Sequence, residues 1–136
     1  VVALNFQMPF SGKVEAGIKR RTIRLDGKRR PPRAGETLQL YFGMRTRYCR
    51  LLRTAKCTDV RRCILNVGNA SVWRVTLYRL EDGKPVSEKH VTARRSLDAF
   101  AHLDGFNGWP ELVAYFAPRA DPFGLVAGYL IEWGAS

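Results

Sequence analysis

Apolar runs of strand length, each closed by a glycine or proline turn, recur along most of this 136-residue chain. The clearest are TLQLYF at 37–42, SVWRVTLYRL at 71–80 and GLVAGYLIEW at 124–133. In the second, Val72, Arg74 and Thr76 fall on one face and Trp73, Val75 and Leu77 on the other, because side chains alternate along a strand. Further strands are expected at VALNF (2–6), at RRTIRL (20–25) and twice within 47–68, with a break near Thr58-Asp59. Turn chemistry separates them: DGKRRPPRAGE (26–36) is a loop, GMRT (43–46) a turn, and Asp82-Gly83 suggests a hairpin.

Three segments break this rhythm. In PFSGKVEAGI (9–18), Pro9 and Ser11 stand near a helix start and Gly17 near its end. In RRSLDAFAHLDGF (94–106), Leu97, Phe100, Ala101 and Leu103 recur at helical spacing, with Ser96 placed to cap. NGWPELVAYFAP (107–118) carries Leu112, Val113, Tyr115 and Phe116 before a stop at Pro118. Many short strands with three short helices predict an α+β fold: a small, mostly antiparallel β-barrel, closed or partly closed, over one domain spanning 1–136.

Charge is distributed unevenly. The net charge is +11, yet residues 13–62 hold 16 Lys and Arg against 4 Asp and Glu, so the remainder is close to neutral. Charge needed only for solubility has no reason to segregate; a basic field concentrated in one segment suits a polyanion, and arginine suits phosphate. RNA or another nucleic acid is the expected partner. No apolar run approaches the roughly 20 residues of a spanning helix, and no basic amphipathic helix is evident, so no membrane partner is expected. Cys49, Cys57 and Cys63 are odd in number and form no C-x-x-C pair, which favours reduced cysteines and a cytoplasmic location. With no signal-like N-terminus, no ligand spacing for a metal and no phosphate loop, neither metal nor cofactor is expected.

The densest chemistry is GIKRRTIR at 17–24, four cations around one threonine. On a strand, Thr22 shares a face with Arg20 and Arg24, while Ile23 turns toward the core with Arg21 near that rim. Lys19 lies in the preceding turn. A hydroxyl, a guanidinium and an ammonium then meet, a set suited to a phosphate or a carbonyl oxygen. Neighbouring cations and burial lower a lysine's pKa, which would poise Lys19 as a base. The simpler alternatives are a threonine chosen for β-propensity, an Arg24 ion pair with Asp26 or Asp104, and an Asp104 that only ends a helix. Two further surfaces are candidates for nucleic acid: the loop carrying Lys28, Arg29, Arg30 and Arg33 beside a proline pair, and Arg45, Arg47 and Tyr48, where an aromatic interleaves with cations. Trp73, Trp109 and Trp133 are expected in the core or cleft wall, and His90 and His102 at the surface or in packing. The nearness of Trp109 to Asp104 in the chain offers the alternative that it stacks a base.

The pattern G-x-K-x-x-T-I-R at Gly17, Lys19, Thr22, Ile23 and Arg24, the turn Gly35-Glu36 before TLQLYFG, and LDGFNGWPELVAYF at 103–116 follow one another in an order that resembles the ASCH family of PUA-like β-barrels. Asp104, Gly105, Phe106, Glu111 and Phe116 carry the last match; Glu36 stands where the family usually has aspartate. The resemblance covers about residues 6–133. It implies a barrel with a cleft between sheet and helices, and RNA binding by similarity to PUA domains. Some small bacterial members are amidohydrolases acting on N4-acetylcytidine through a lysine, a threonine and a glutamate, and some are ribonucleases. Lys19 and Thr22 match the first two; Asp104, one methylene shorter, aligns with the glutamate. Three functions are therefore in view: RNA binding through a nucleotide-sized cationic pocket, a hydrolase on RNA or a modified nucleoside, and a protein-interaction adaptor.

Overall fold

Strand β4 (Arg50–Asn66) runs unbroken for 17 residues and organises the sheet. The computed structural model describes residues 1–134. Two strands had been expected here. The apparent break is a β-bulge: the register of β4 against β7 (Leu125–Trp133) shifts between Cys57 and Asp59, so the strand bends without ending. Below the bend, β4 pairs antiparallel with β3 (Thr37–Phe42); above it, with β5 (Arg74–Glu81) on one side and β7 on the other.

The remaining strands extend this frame. β1 (Val2–Phe6) lies parallel to β3, β2 (Arg21–Leu25) antiparallel to β7, and β6 (Lys84–Val91) returns along β5. The result is an α+β fold whose curled, mostly antiparallel sheet forms a half-barrel. β1 and β2 are its facing free edges, with no ladder between them. The β5–β6 turn at Asp82-Gly83 takes positive φ at both residues (51° and 77°), the hairpin geometry expected of that dipeptide. β6 itself escaped the sequence reading, because KPVSEKHV is exposed along nearly its whole length and shows no alternating buried face. Ser71–Trp73 had been read as strand; Ala70–Val72 form a 3-10 turn instead, started by the Asn69 side chain accepting from the Ser71 amide.

Three helices pack on this sheet: α1 (Phe10–Glu15), α2 (Arg94–Leu103) and α3 (Trp109–Phe116). The core has two parts. One fills the space between β4, β5, β7 and the α2–α3 pair; the other lies under β1, β3 and the lower half of β4. Leu97, Phe100 and Ala101 are buried as the helical spacing requires, whereas Leu103 is exposed. Ser96 lies inside the first turn of α2, which starts after Ala93 without a side-chain cap. The start of α3 is capped from outside: Asp98 on α2 accepts from the Trp109 amide at 2.9 Å, and Arg94 holds the same carboxylate. Cys57 and Cys63 are buried free thiols and Cys49 is an exposed one.

Candidate functional site

The α2–α3 corner is built by Asp104-Gly105-Phe106. Asp104 is the C-cap of α2 and Gly105 follows in the left-handed region (φ 93°). The Gly105 amide donates to the His102 carbonyl and the Phe106 amide to the Ala101 carbonyl, both at 3.0 Å. This double closure is a Schellman stop, and it explains the D-G-F triplet in physical terms: an end, a residue free of Cβ, and an apolar anchor. A Cβ on Gly105 would stand 3.0 Å from the Phe10 ring and 3.1 Å from Lys19 Cδ, so glycine is required twice over.

Two lysines close the carbonyl end of this corner. Lys13 Nζ donates to the Gly105 carbonyl at 2.6 Å, and Lys19 Nζ donates to the Asp104 carbonyl. Cations at a helix C-terminus meet unpaired carbonyls and the negative end of the dipole. Lys19 is 4% exposed. Burial lowers its pKa to about 8 against the opposing pull of Asp104, and Arg24, Arg21 and Lys13 add to the lowering.

Asp104 is completely buried, and burial pushes its carboxyl upward. Arg21 and Lys19 oppose that rise. Arg21 Nε stands 3.2 Å from Asp104 Oδ1, Arg21 Nη2 donates to the Phe100 carbonyl at 2.6 Å, and the guanidinium lies over the Phe100 ring at 4.4 Å. The residue assigned to the rim is therefore the ionic partner of the buried acid. The Arg24 ion pair weighed from the sequence does not form: Asp104 takes Arg21, and Asp26 takes Arg62. Arg24 instead donates to the Asn5 carbonyl at 2.6 Å, lies 4.7 Å from the Phe6 ring centroid, and has its pKa lowered by burial.

Lys19, Thr22, Arg24 and Asp104 line one cavity of about 250 Å³ between β1, β2 and the helices. Phe10, Phe106, Tyr115 and Phe116 form its aromatic wall, with Phe10 and Phe106 in edge contact at 5.1 Å. Thr22 is buried, and among the described residues its hydroxyl makes no hydrogen bond. β2 can approach β7 closely because Gly128 has no side chain; a Cβ there would overlap the Arg24 carbonyl. The cavity thus combines apolar rings, a buried ammonium, a half-buried guanidinium and a hydroxyl, a set that can receive a flat polar ring with an anionic or carbonyl oxygen beside it.

Other expected residues lie elsewhere. Arg20 precedes β2, is exposed, and donates back to the Gly17 carbonyl, so it does not share the Thr22 face within the cavity. Trp109 is fully buried between the helices and the sheet, 6.4 Å from Trp73, and cannot stack a base from solvent; the helix start that brings it near Asp104 in sequence also points it into the core. Arg45, Arg47 and Tyr48 are in the β3–β4 loop, where Arg47 stacks on Tyr48 at 5.0 Å, and they do not line the cavity. Lys28, Arg29, Arg30 and Arg33 belong to the β2–β3 loop beyond its edge.

Sequence reasoning missed Asn5, Tyr115 as a wall residue, and Arg119, whose guanidinium lies 4.5 Å from the Tyr115 ring and whose Nη1 donates to the Tyr115 carbonyl. A cation four residues after an aromatic was the available signal, hidden by Pro118 between them. Among the described residues, no three His, Cys, Asp or Glu side chains gather as a metal site, and no helix is long and apolar enough to cross a membrane. No protein-family model matches the chain, and no curated protein or solved structure does.

Proposed function

We propose that this chain is an RNA-binding domain of PUA-like, ASCH type, with one nucleotide seated in the cavity and the basic segment holding phosphates. One observation carries the reading: aromatic rings, the buried Lys19 and the half-buried Arg24 line a single cavity that shares Arg24 and Leu25 with the groove under the most basic loop of the chain. Ring faces stack bases, and guanidinium groups take phosphate. Anisotropy titration with a short single-stranded RNA at 50 and 200 mM salt tests it. The expected outcome is a steep loss of affinity with salt, and at least tenfold weaker binding for Arg24→Met and Thr22→Val at low salt. Affinity that is flat in salt, or untouched by both substitutions, rejects the reading.

A hydrolase on a modified nucleoside is the second reading, supported by the buried Lys19, its pKa lowered to about 8, and the Thr22 hydroxyl that lines the same cavity. Its expected signature is acetate release from N4-acetylcytidine that vanishes in Lys19→Met and Thr22→Val while both variants stay folded. No release at high enzyme concentration rejects it.

A further inference from the structure

The half-barrel is open along one line, and that line carries more than the cavity. β1 and β2 face each other with no ladder; the Arg24 guanidinium crosses the gap to the Asn5 carbonyl at 2.6 Å. The cavity occupies one end of this seam, at Asn5 and Phe6 on β1 and Gln7 just after it. Beside Val2–Leu4, at the other end, lies a second groove of about 640 Å³, roofed by the β2–β3 loop. Arg24 and Leu25 line both, so the two hollows are neighbours along one path. Five residues of β1 rise about 17 Å, the length of a few stacked nucleotides at ~3.4 Å each.

The groove has the chemistry of a single strand's backbone. Leu25, Ile131 and Tyr129 give it an apolar lining, and the Arg62 guanidinium lies over the Tyr129 ring at 4.8 Å. Its roof is cationic and braced. Glu36 grips both ends of the Arg30 guanidinium (2.7 and 3.0 Å) and accepts from the Arg33 amide at 2.7 Å, which holds the Glu36 carboxyl at about 2. Asp26 is the acid that lines the groove among the described residues, and it is engaged by both Nη atoms of Arg62. With both carboxylates neutralised by these pairs, Lys28 and Arg29 stand exposed on a loop stiffened by Pro31-Pro32, with charge complementary to an external anion.

We propose that the β1–β2 seam is a track for single-stranded nucleic acid. It rests on the nucleotide reading of the cavity: one nucleotide sits there, and the chain continues past Arg24 into the groove, sugars and bases on the apolar lining and phosphates against Lys28 and Arg29. Arg24 ties β1 to β2 by a direct hydrogen bond, a spacing that a duplex does not enter, so strandedness is part of the claim.

A length series tests it. Affinities of a mononucleotide, a tetranucleotide and an octanucleotide are measured for the wild type, for Thr22→Val and for Lys28→Ala/Arg29→Ala, with a duplex of the octanucleotide and an oligoglutamate as competitors. The loop variant is expected to bind the octanucleotide about tenfold more weakly, with a salt slope shallower by about 1.4, near 0.7 for each lost phosphate contact, and to bind the mononucleotide as the wild type does. Octanucleotide binding unchanged by the loop substitutions overturns the track. So does an equal loss for mononucleotide and octanucleotide, which marks a diffuse field. Duplex or oligoglutamate competing as well as the single strand overturns it too, the latter in favour of an acidic protein partner. A loop effect confined to oligonucleotides alongside no effect of Thr22→Val supports the groove and rejects the cavity assignment alone.

Discussion

Lys19 ties the stability of the fold to pH in a direction that can be worked out. Its ammonium is 4% exposed, and burial takes its pKa from 10.5 to about 8. The native state therefore gives up a proton near pH 8 that the unfolded chain keeps until about 10.5. In that window the unfolded state binds more protons, so stability rises with pH. Below pH 8 both states are charged and the full cost of a buried ammonium is present, on the order of 3 kcal/mol from the difference of the two values at 1.36 kcal/mol per pKa unit. The perturbation is Lys19→Met, which keeps the stem and removes the charge. Urea unfolding of both proteins from pH 7 to 10.5 gives their stability difference at each pH, and other titrating groups largely cancel. That difference is expected to be constant below pH 8 and then to move in favour of the wild type by about 1.4 kcal/mol per pH unit, toward a limit of about 3 kcal/mol. A difference that stays level across the whole range means the ammonium is as well solvated in the native state as in the unfolded one, and the burial argument fails.

Other substitutions probe the same corner and the loop. Arg21→Met leaves Asp104 buried without its ionic partner and is expected to cost about 3–5 kcal/mol by urea unfolding; adding Asp104→Asn should return part of the loss, and a cost under about 1 kcal/mol would show that the pair is not desolvated. Gly105→Ala places a Cβ against Phe10 and Lys19 at φ 93° and is expected to destabilise by about 1–3 kcal/mol, read as a lower melting temperature; an unchanged melting temperature refutes the double requirement for glycine. Glu36, held at about 2, supports the loop above its unfolded value of 4.5 and ceases to do so as pH falls through about 2. Hydrogen exchange at the Arg33 amide is expected to stay protected down to about pH 3 in the wild type and to be fast in Glu36→Ala, which removes the acceptor, at every pH; equal protection in the two would exclude the Glu36 brace.

The strands that bury one face were legible because burial writes a period of two into the sequence: β3, β5 and β7 were placed within a few residues. β6 left no such mark because neither face is buried, and the bulge in β4 looked like a turn because one extra residue breaks alternation as a turn does. The site was partly legible. Lys19, Thr22 and Arg24 lie close in sequence, so strand geometry alone brings them to one place. Asp104 entered by resemblance. Arg21 was misplaced because its partners, Asp104 and Phe100, are about 80 residues away, and periodicity says nothing about what a second element will offer. Trp109 lies in the core as its size suggests, and only the base-stacking role failed: nearness to Asp104 in the chain does not say which way a helix turns its first residue. Arg119 and Asn5 reach the cavity only through the pairing of distant segments.

β2 has a ladder on one side only, and its partner is β7, the final strand described. While the chain is being made, β2 leaves the ribosome more than 100 residues before the strand that will hold it. Lys19 likewise waits for the Asp104 carbonyl, 85 residues later. The β2 edge and Lys19 therefore stay without these partners until the α2–α3 corner and β7 have been made, and the cavity forms only once β7 lies between β2 and β4. A chain interrupted before β7 carries the full positive charge of residues 13–62 but lacks the strand that holds β2.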